Sequence, residues 1–256
     1  MKSFRRSQPR PKKRLLVIGK EQVTQALREG KALDRIYLQA DIDPATGDVI
    51  RKLALDAGVP VNRVPQEKLN SFNVEGHGGV VALISRVQYA DLQQIISFTV
   101  DKGEVPLFLL LDGVTDIRNI GAIARSAYCF GVHAIIIPEK GVGALQEDAI
   151  LTSAGALEHI PVCRVRSLMK AVDDLHLNGI RVYAADMNAK NEIQHAVLNE
   201  PAAIVLGAEE KGIYPALSKI CDDHLRIPMS DKFDSLNVSV AAGICLYEAY
   251  RQRLVS

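Results

Sequence analysis

Apolar residues recur along this chain in two rhythms. Short runs at Leu15–Ile18, Arg35–Leu38, Val61–Val64 and Val80–Ile84 read as strands. Between them, helix-spaced residues such as Val23, Ala26 and Leu27 predict helices over 21–28 and 48–56, stopped by Gly30 and Gly58, with a short third over 65–72. Strands and helices alternating in this way make a small α/β unit over residues 15–85. Residues 86–105 are less regular, with a helix-like pattern over 89–96 and a polar tail over 99–104. They read as the connection between two domains.

A different pattern starts at Pro106–Leu111, PLFLLL. An unbroken apolar run suits a strand buried on both faces of a parallel sheet. From there, strands at 134–137, 160–165, 180–184, 202–206 and 225–227 alternate with helices at 120–130, 145–153, 167–177, 215–221 and 237–252. The pattern predicts a parallel sheet covered by helices over 106–256. Ligands of such sheets bind at the carboxyl ends of the strands. Three loops fall there, at 112–119, 207–212 and 228–239. The last runs from Pro228 into Asp234-Ser235-Leu236-Asn237-Val238-Ser239. It is longer than an economical connection and carries more capping groups than one helix start needs. Taken alone, that stretch fits an over-capped helix and a small-molecule site equally.

Composition narrows the class. With 256 residues, 48% of them hydrophobic, the chain has the make-up of a soluble globular protein of one large or two smaller domains. No apolar run has transmembrane length, and residues 1–14 contain no apolar signal core, so a cytoplasmic location without membrane partners is expected. Cys129, Cys163, Cys221 and Cys245 lie far apart in apolar contexts without a CxxC pair, and no HExxH is present. Neither disulfides nor a metal site are expected, and a reducing compartment is favoured. The net charge of +1 hides an asymmetry: residues 1–14 carry seven basic groups and no acid, so the remainder is −6. A disordered basic arm of this kind either attracts phosphates or solubilises the chain. Phosphate-loop motifs are missing, and Gly141-Val142-Gly143 lacks the third glycine of a dinucleotide fingerprint.

The three loops carry a specific signature. Asn119-Ile120-Gly121-Ala122-Ile123-Ala124-Arg125-Ser126 opens the first helix, Val205-Leu206-Gly207-Ala208-Glu209-Glu210-Lys211-Gly212 follows a strand, and Ile227-Pro228-Met229 precedes Ser235-Leu236-Asn237-Val238-Ser239-Val240-Ala241. In order and spacing these resemble the three motifs of the SpoU (TrmH) family of RNA ribose 2′-O-methyltransferases. Residues 15–85, ending in His77-Gly78-Gly79-Val80-Val81-Ala82, more weakly resemble the family's RNA substrate-binding domain. The two-domain layout is closest to members that methylate a guanosine ribose in 23S ribosomal RNA. The resemblance departs at Ile117-Arg118, where many members have a proline and a variable residue, and at Glu210, where glycine is common.

The resemblance implies a C-terminal SPOUT-type parallel sheet tied in a trefoil knot, a smaller N-terminal α/β RNA-binding domain, S-adenosyl-L-methionine as methyl donor and a homodimer. Knots are rare exceptions to ordinary chain connection. By motif match, Leu206, Gly207, Ile227, Ser235, Leu236 and Asn237 would hold the donor. Gly207 would admit backbone contact with it, and Ile227 and Leu236 would wall the adenine. Arg125 would bind the acceptor ribose or its phosphate. A guanidinium pKa above about 12 favours a charged group that stabilises the developing alkoxide over a general base. Glu209 would orient Asn119 or Arg125, accept the proton through water, or simply bridge loops. Ser239 would bond Glu209, contact the nucleotide or cap a helix. Lys20, Arg28, Lys31 and Arg35, with the basic arm, would clamp phosphates. Two alternatives stand beside this reading: a transfer-RNA ribose methyltransferase of the same family, and an RNA-binding factor without catalysis.

Overall fold

The structure, a computed structural model, describes residues 16–142, 145, 147–209, 211–230 and 235–255, with the side chain of Glu147 left out. The basic arm over 1–14, Gly143, Glu210 and Asp234 lie outside the described residues. The chain divides into two units, one ending at Ile84 and one beginning at Ser85.

In the first unit, β1 (Leu16–Ile18), β2 (Leu33–Gln39), β3 (Val61–Val64) and β4 (Val80–Ile84) form a sheet in the order β1-β4-β2-β3. β2 and β3 are parallel, and β4 runs antiparallel to β1 and β2. Helices α1 (Lys20–Arg28) and α2 (Pro44–Asp56) bury Val23, Ala26, Leu27, Ile50 and Ala54 against Ile36 and Leu38 of β2. Helix α3 (Gln66–Asn70) is short. α2 opens at Pro44, as the proline's place ahead of 48–56 indicates, and Asp43 caps it, accepting from the N–H and the hydroxyl of Thr46. Those two bonds hold the Asp43 carboxyl below its usual range.

The second unit is an eight-stranded, wholly parallel sheet. Its strands are β5 (Tyr89–Ala90), β6 (Leu107–Leu111), β7 (Ala134–Pro138), β8 (Val162–Val165), β9 (Arg181–Ala185), β10 (Asn191–Glu192), β11 (Ala202–Leu206) and β12 (Asp223–Arg226). Their order is β10-β12-β9-β11-β6-β7-β8-β5. Helices α4 (Leu92–Asp101), α5 (Ile117–Cys129), α6 (Glu147–Thr152), α7 (Leu168–Leu177), α8 (Pro215–Lys219) and α9 (Val238–Arg253) cover both faces.

The apolar runs fill two cores because alternate strand residues point to opposite faces. Leu107, Leu109, Leu111, Ile204 and Leu206 face α5, α6 and α9. Phe108, Leu110, Ala203 and Val205 face α4, α7 and α8. α5 lies so close to α6 that a Cβ on Gly121 would stand 2.7 Å from the Ala149 carbonyl oxygen. At the far end of α9, the Arg253 guanidinium donates to the carbonyls of Val105, Pro106, Leu198 and Glu200 at 2.6–2.9 Å.

The stretch 86–105, read as a connection, belongs to the second unit. Tyr89 and Ala90 pair with β8 as the sheet's edge strand. Asp91 then caps α4 by accepting from the Gln94 N–H at 3.0 Å. The helix predicted over 89–96 therefore starts later and runs on through Thr99, which is buried. A two-residue strand has too few positions to show a period, and the sequence offered no other sign of it. Cys129, placed in an apolar context by sequence, is exposed at the end of α5.

Candidate functional site

β12, β9 and β11 lie side by side and parallel, so their carboxyl ends open at one edge of the sheet. A cavity of about 390 Å³ sits there. Leu206 lines it at the end of β11, Gly207 and Glu209 just after, Ile227 and Met229 after β12, and Ser235 and Leu236 before α9.

The loop after β11 is a closed turn. Ala208 and Gly212 exchange two backbone hydrogen bonds, 3.1 Å from Ala208 N to Gly212 O and 2.8 Å in return. Closure brings the chain back over Gly207, where a Cβ would lie 2.2 Å from Gly212 C and 2.3 Å from Ile213 N. The first demand for glycine here is thus the turn's own backbone. Asp112, at the end of β6, holds the turn from outside: its N–H donates to the Leu206 carbonyl at 2.8 Å and its Oδ2 accepts from Tyr214 N at 2.6 Å.

Glu209 projects from this turn and joins it to two helix starts. Its Oε1 accepts from Asn119 Nδ2 at 3.4 Å, from Asn237 Nδ2 at 2.5 Å and from Val238 N at 3.3 Å. Asn237 Nδ2 also donates to Asn119 Oδ1 at 3.2 Å. On its other side, Asn237 Oδ1 accepts from the backbone N–H and the hydroxyl of Ser239. One asparagine therefore caps α9 and ties it to the turn. Asn119 reaches this cluster because α5 begins at Ile117, three residues earlier than the apolar spacing indicated. Asp116 caps the helix by accepting from Arg118 N at 2.9 Å, which places Asn119 in its first turn.

The structure thus brings Asn119, Glu209, Asn237 and Ser239 into one hydrogen-bonded network beside a cavity lined by Leu206, Gly207, Ile227, Ser235 and Leu236. The Ser239 hydroxyl serves the Asn237 cap rather than Glu209. Arg125 stands elsewhere. It is exposed on α5, roughly 120° around the helix from Asn119, outside the cavity lining. It makes no hydrogen bond or ion pair among the described residues, so Glu209 does not orient it directly.

Two groups of lining residues escaped the sequence reading. Ala185 ends β9 and Asp186, Met187 and Asn188 follow it, and Ser218 comes from α8. The polar Asp-Met-Asn after a buried strand was the available sign for the first, since a strand beside β11 in a parallel sheet opens at the same edge. Ser218 gave none, because only the fold turns it toward the cavity. Among the described residues, no group of three or more His, Cys, Asp or Glu side chains is placed to hold a metal, and no helix is long and apolar enough to cross a membrane.

The SpoU rRNA methylase family model matches residues 106–247, and the model for RNA 2′-O ribose methyltransferase substrate binding matches residues 16–90. A Bacillus subtilis protein named as a TrmH family tRNA/rRNA methyltransferase, YacO, is 35% identical over 237 residues, 93% of this chain and 95% of its own length. The crystal structure of the SpoU methyltransferase AviRb from Streptomyces viridochromogenes, in complex with AdoMet, superposes with a TM-score of 0.60 at 26% identity, covering 94% of this chain and 91% of that one. The TrmH/SpoU tRNA modifying enzyme of A. aeolicus gives a TM-score of 0.54 at 26% identity, covering 64% of this chain and 85% of its own.

Proposed function

The chain belongs to the SpoU family of S-adenosylmethionine-dependent RNA 2′-O-ribose methyltransferases, and from that premise we propose that its acceptor is a guanosine ribose of 23S ribosomal RNA. The observation that carries the site assignment is the Asn119–Glu209–Asn237 network standing beside a cavity of about 390 Å³. That volume is within the range of small-molecule sites. Its apolar walls at Leu206, Ile227 and Leu236, with polar groups at the edge, suit a nucleoside attached to a charged amino-acid tail. S-adenosylmethionine, when bound, supplies a methyl group on a sulfonium.

The chain's own residues position the acceptor, and Glu209 takes the proton that leaves its 2′-hydroxyl through a water. Gly207 and the closed turn fix the back of the cavity, and Ser235 and Asn237 fix its front. Glu209 holds Asn119 and Asn237 in one orientation. Positioning of this kind lowers a barrier by roughly 7–11 kcal/mol when reacting atoms are aligned. Arg125, whose donors are uncommitted among the described residues, binds the acceptor's ribose or phosphate and offsets the negative charge that grows on the 2′-oxygen. The knot is supported by the path of the chain: β12 lies outside β9, yet the segment after it returns to place α9 against α5 and β11.

A homodimer is supported by α9. Val240, Ile244 and Tyr247 form a stripe on its outer side at 49%, 37% and 55% exposure, although its inner side is already buried. The ribosomal acceptor is supported by the substrate-binding match over residues 16–90 and by the transfer-RNA enzyme's covering only 64% of this chain. The test is to incubate the protein with methyl-labelled donor and either 23S ribosomal RNA or transfer RNA, then digest with alkali. A 2′-O-methyl group blocks cleavage of its own linkage, so label in alkali-resistant dinucleotides from ribosomal RNA supports the proposal. Label confined to transfer RNA refutes the choice of acceptor.

A further inference from the structure

The outer side of α5 carries an exposed aromatic stack that takes no part in the cavity lining. Tyr128 belongs to neither core of the second unit and is 53% exposed. One face of its ring lies against His159, with centroids 5.7 Å apart and planes 26° from parallel. His159 is exposed as well. Both rings stand on fixed backbone. Tyr128 follows the buried Ala127 in α5, and His159 closes the single turn Ala156–Glu158, its N–H donating to the Ala156 carbonyl at 3.0 Å. The acid beside it, Glu158, is taken up by two bonds from Arg86, at 2.7 and 3.1 Å. With His159 on one face, Tyr128 turns its other face to solvent.

The surroundings of this stack are cationic. α5 contains no acidic residue between Ile117 and Cys129. At about 100° and 1.5 Å per residue, Arg118 and Arg125 lie almost in line on its outer side, about 10 Å apart, and Tyr128 follows Arg125 by about 4.5 Å. Both arginines are exposed. Arg118 has only a 3.7 Å ion pair with its own cap, Asp116. The flank of α5 towards α9 is a different one. There Asn119 accepts from Asn237, and Phe130 meets the rings of Tyr247 and Tyr250. Tyr128 lies about 180° around the helix from Asn119 and about 13.5 Å along it. A row of cations ending in an open ring matches single-stranded RNA, whose phosphates seek the charges and whose unpaired bases stack on aromatic faces. A symmetric contact with a second copy through this side would instead set the two arginines against the same patch of the partner.

Resting on the reading that Arg125 meets the acceptor strand, we propose that Tyr128, steadied by His159, is a stacking platform for an unpaired base of that strand. The base belongs to a nucleotide some way along from the methylated ribose, because Tyr128 is too far from Asn119 to touch the acceptor nucleotide itself. His159 is a positioning residue: it covers one face of the ring and fixes its tilt, so that an arriving base completes a three-ring column. The platform adds hold on single-stranded RNA without choosing its sequence, since every base has a π-face.

The test titrates the full chain, by fluorescence anisotropy, with a labelled oligouridylate and with an abasic ribose-phosphate oligomer of the same length. Wild-type protein is expected to bind the oligouridylate at least about 5-fold more tightly, as one stacked base gives. Tyr128→Ala is expected to lose about 5-fold or more on the oligouridylate and nothing on the abasic oligomer. Its salt dependence should match that of wild type, because no phosphate contact is removed. Tyr128→Phe keeps the ring and is expected to keep the affinity. Equal binding of oligouridylate by wild type and Tyr128→Ala overturns the inference. An equal loss on both oligomers also overturns it, by marking a change of fold rather than a lost stack. A Tyr128→Ala protein that turns monomeric in light scattering while keeping its RNA affinity assigns the ring to a second copy instead. The premise has a separate readout: methyl transfer that survives in Arg125→Ala removes the acceptor role of Arg125, whatever the oligomers show.

Discussion

Replacing Gly207 with alanine tests whether the closed turn is what makes the cavity competent. Gly207 does not adopt a positive φ, so alanine meets no backbone penalty there and the perturbation is purely one of space. The new Cβ would lie 2.2 Å from Gly212 C. Carbon atoms settle at about 3.5–4.0 Å, so the returning chain must retreat by more than about 1 Å. A shift of that size breaks the two Ala208–Gly212 hydrogen bonds. At about 0.5–1.5 kcal/mol each, opening the turn costs about 1–3 kcal/mol. If only the closed turn binds S-adenosylmethionine, affinity falls by about 5- to 150-fold, at about 1.4 kcal/mol per decade. Part of the cost also appears as a fall in Tm of about 2–12 °C. Calorimetric titration with the donor and a thermal melt measure both. A Gly207→Ala protein with a Kd within twofold of wild type and an unchanged Tm refutes the reasoning, because the turn would then close without its glycine.

Other expectations follow from individual contacts. His133 Nδ1 accepts from Leu107 N at 3.0 Å, and burial pushes its pKa below the ordinary value. The folded protein then binds fewer protons than the unfolded chain as pH drops below about 6.5, so the contribution of His133 to stability is complete above that pH and is lost as pH falls toward the lowered pKa; Tm measured from pH 7.5 to 5 should fall more steeply in wild type than in His133→Gln. Arg253→Ala removes the donor to four carbonyls and should cost about 2–4 kcal/mol in denaturant titration, with Arg253→Lys recovering less than half because an ammonium cannot span them. Changing Ile244 and Tyr247 together to glutamate should give a monomer by light scattering with an unaltered fold, and a persistent dimer would show that the α9 stripe is not the contact. Burial raises the thiols of Cys163 and Cys245 to about 12 and that of Cys221 to about 11, so these three should resist a disulfide reagent at pH 8 until the protein unfolds.

Long apolar runs made most of the second unit legible. β6 is buried at every position, and only a central parallel strand gives five such residues in succession. Pairing left less trace. The antiparallel course of β4 beside β2, and the edge position of β5, depend on partners more than 40 residues away in the chain. The motif residues of the cavity were readable because they cluster in the sequence. Asp112 was not, because its partner is the backbone N–H of Tyr214, which any residue but proline supplies. Gly207 was singled out for contact with a cofactor, whereas the crowding seen there comes from chain five residues further on. Arg125 shows the converse: its motif position was plain, but its direction follows from the helical phase set by the Asp116 cap.

The clasp made by Arg253 gives the second unit a definite order of completion. The guanidinium holds the carbonyls of Val105 and Pro106, at the threshold of β6, through a residue synthesised almost 150 positions later. The same helix delivers Ala242, Leu246 and Ala249 to the core. At a translation speed of about 5–20 residues per second, the earlier strands wait for several seconds beside the ribosome with that face uncovered. A nascent chain halted within α9 therefore exposes the sheet face that Ala242, Leu246 and Ala249 cover.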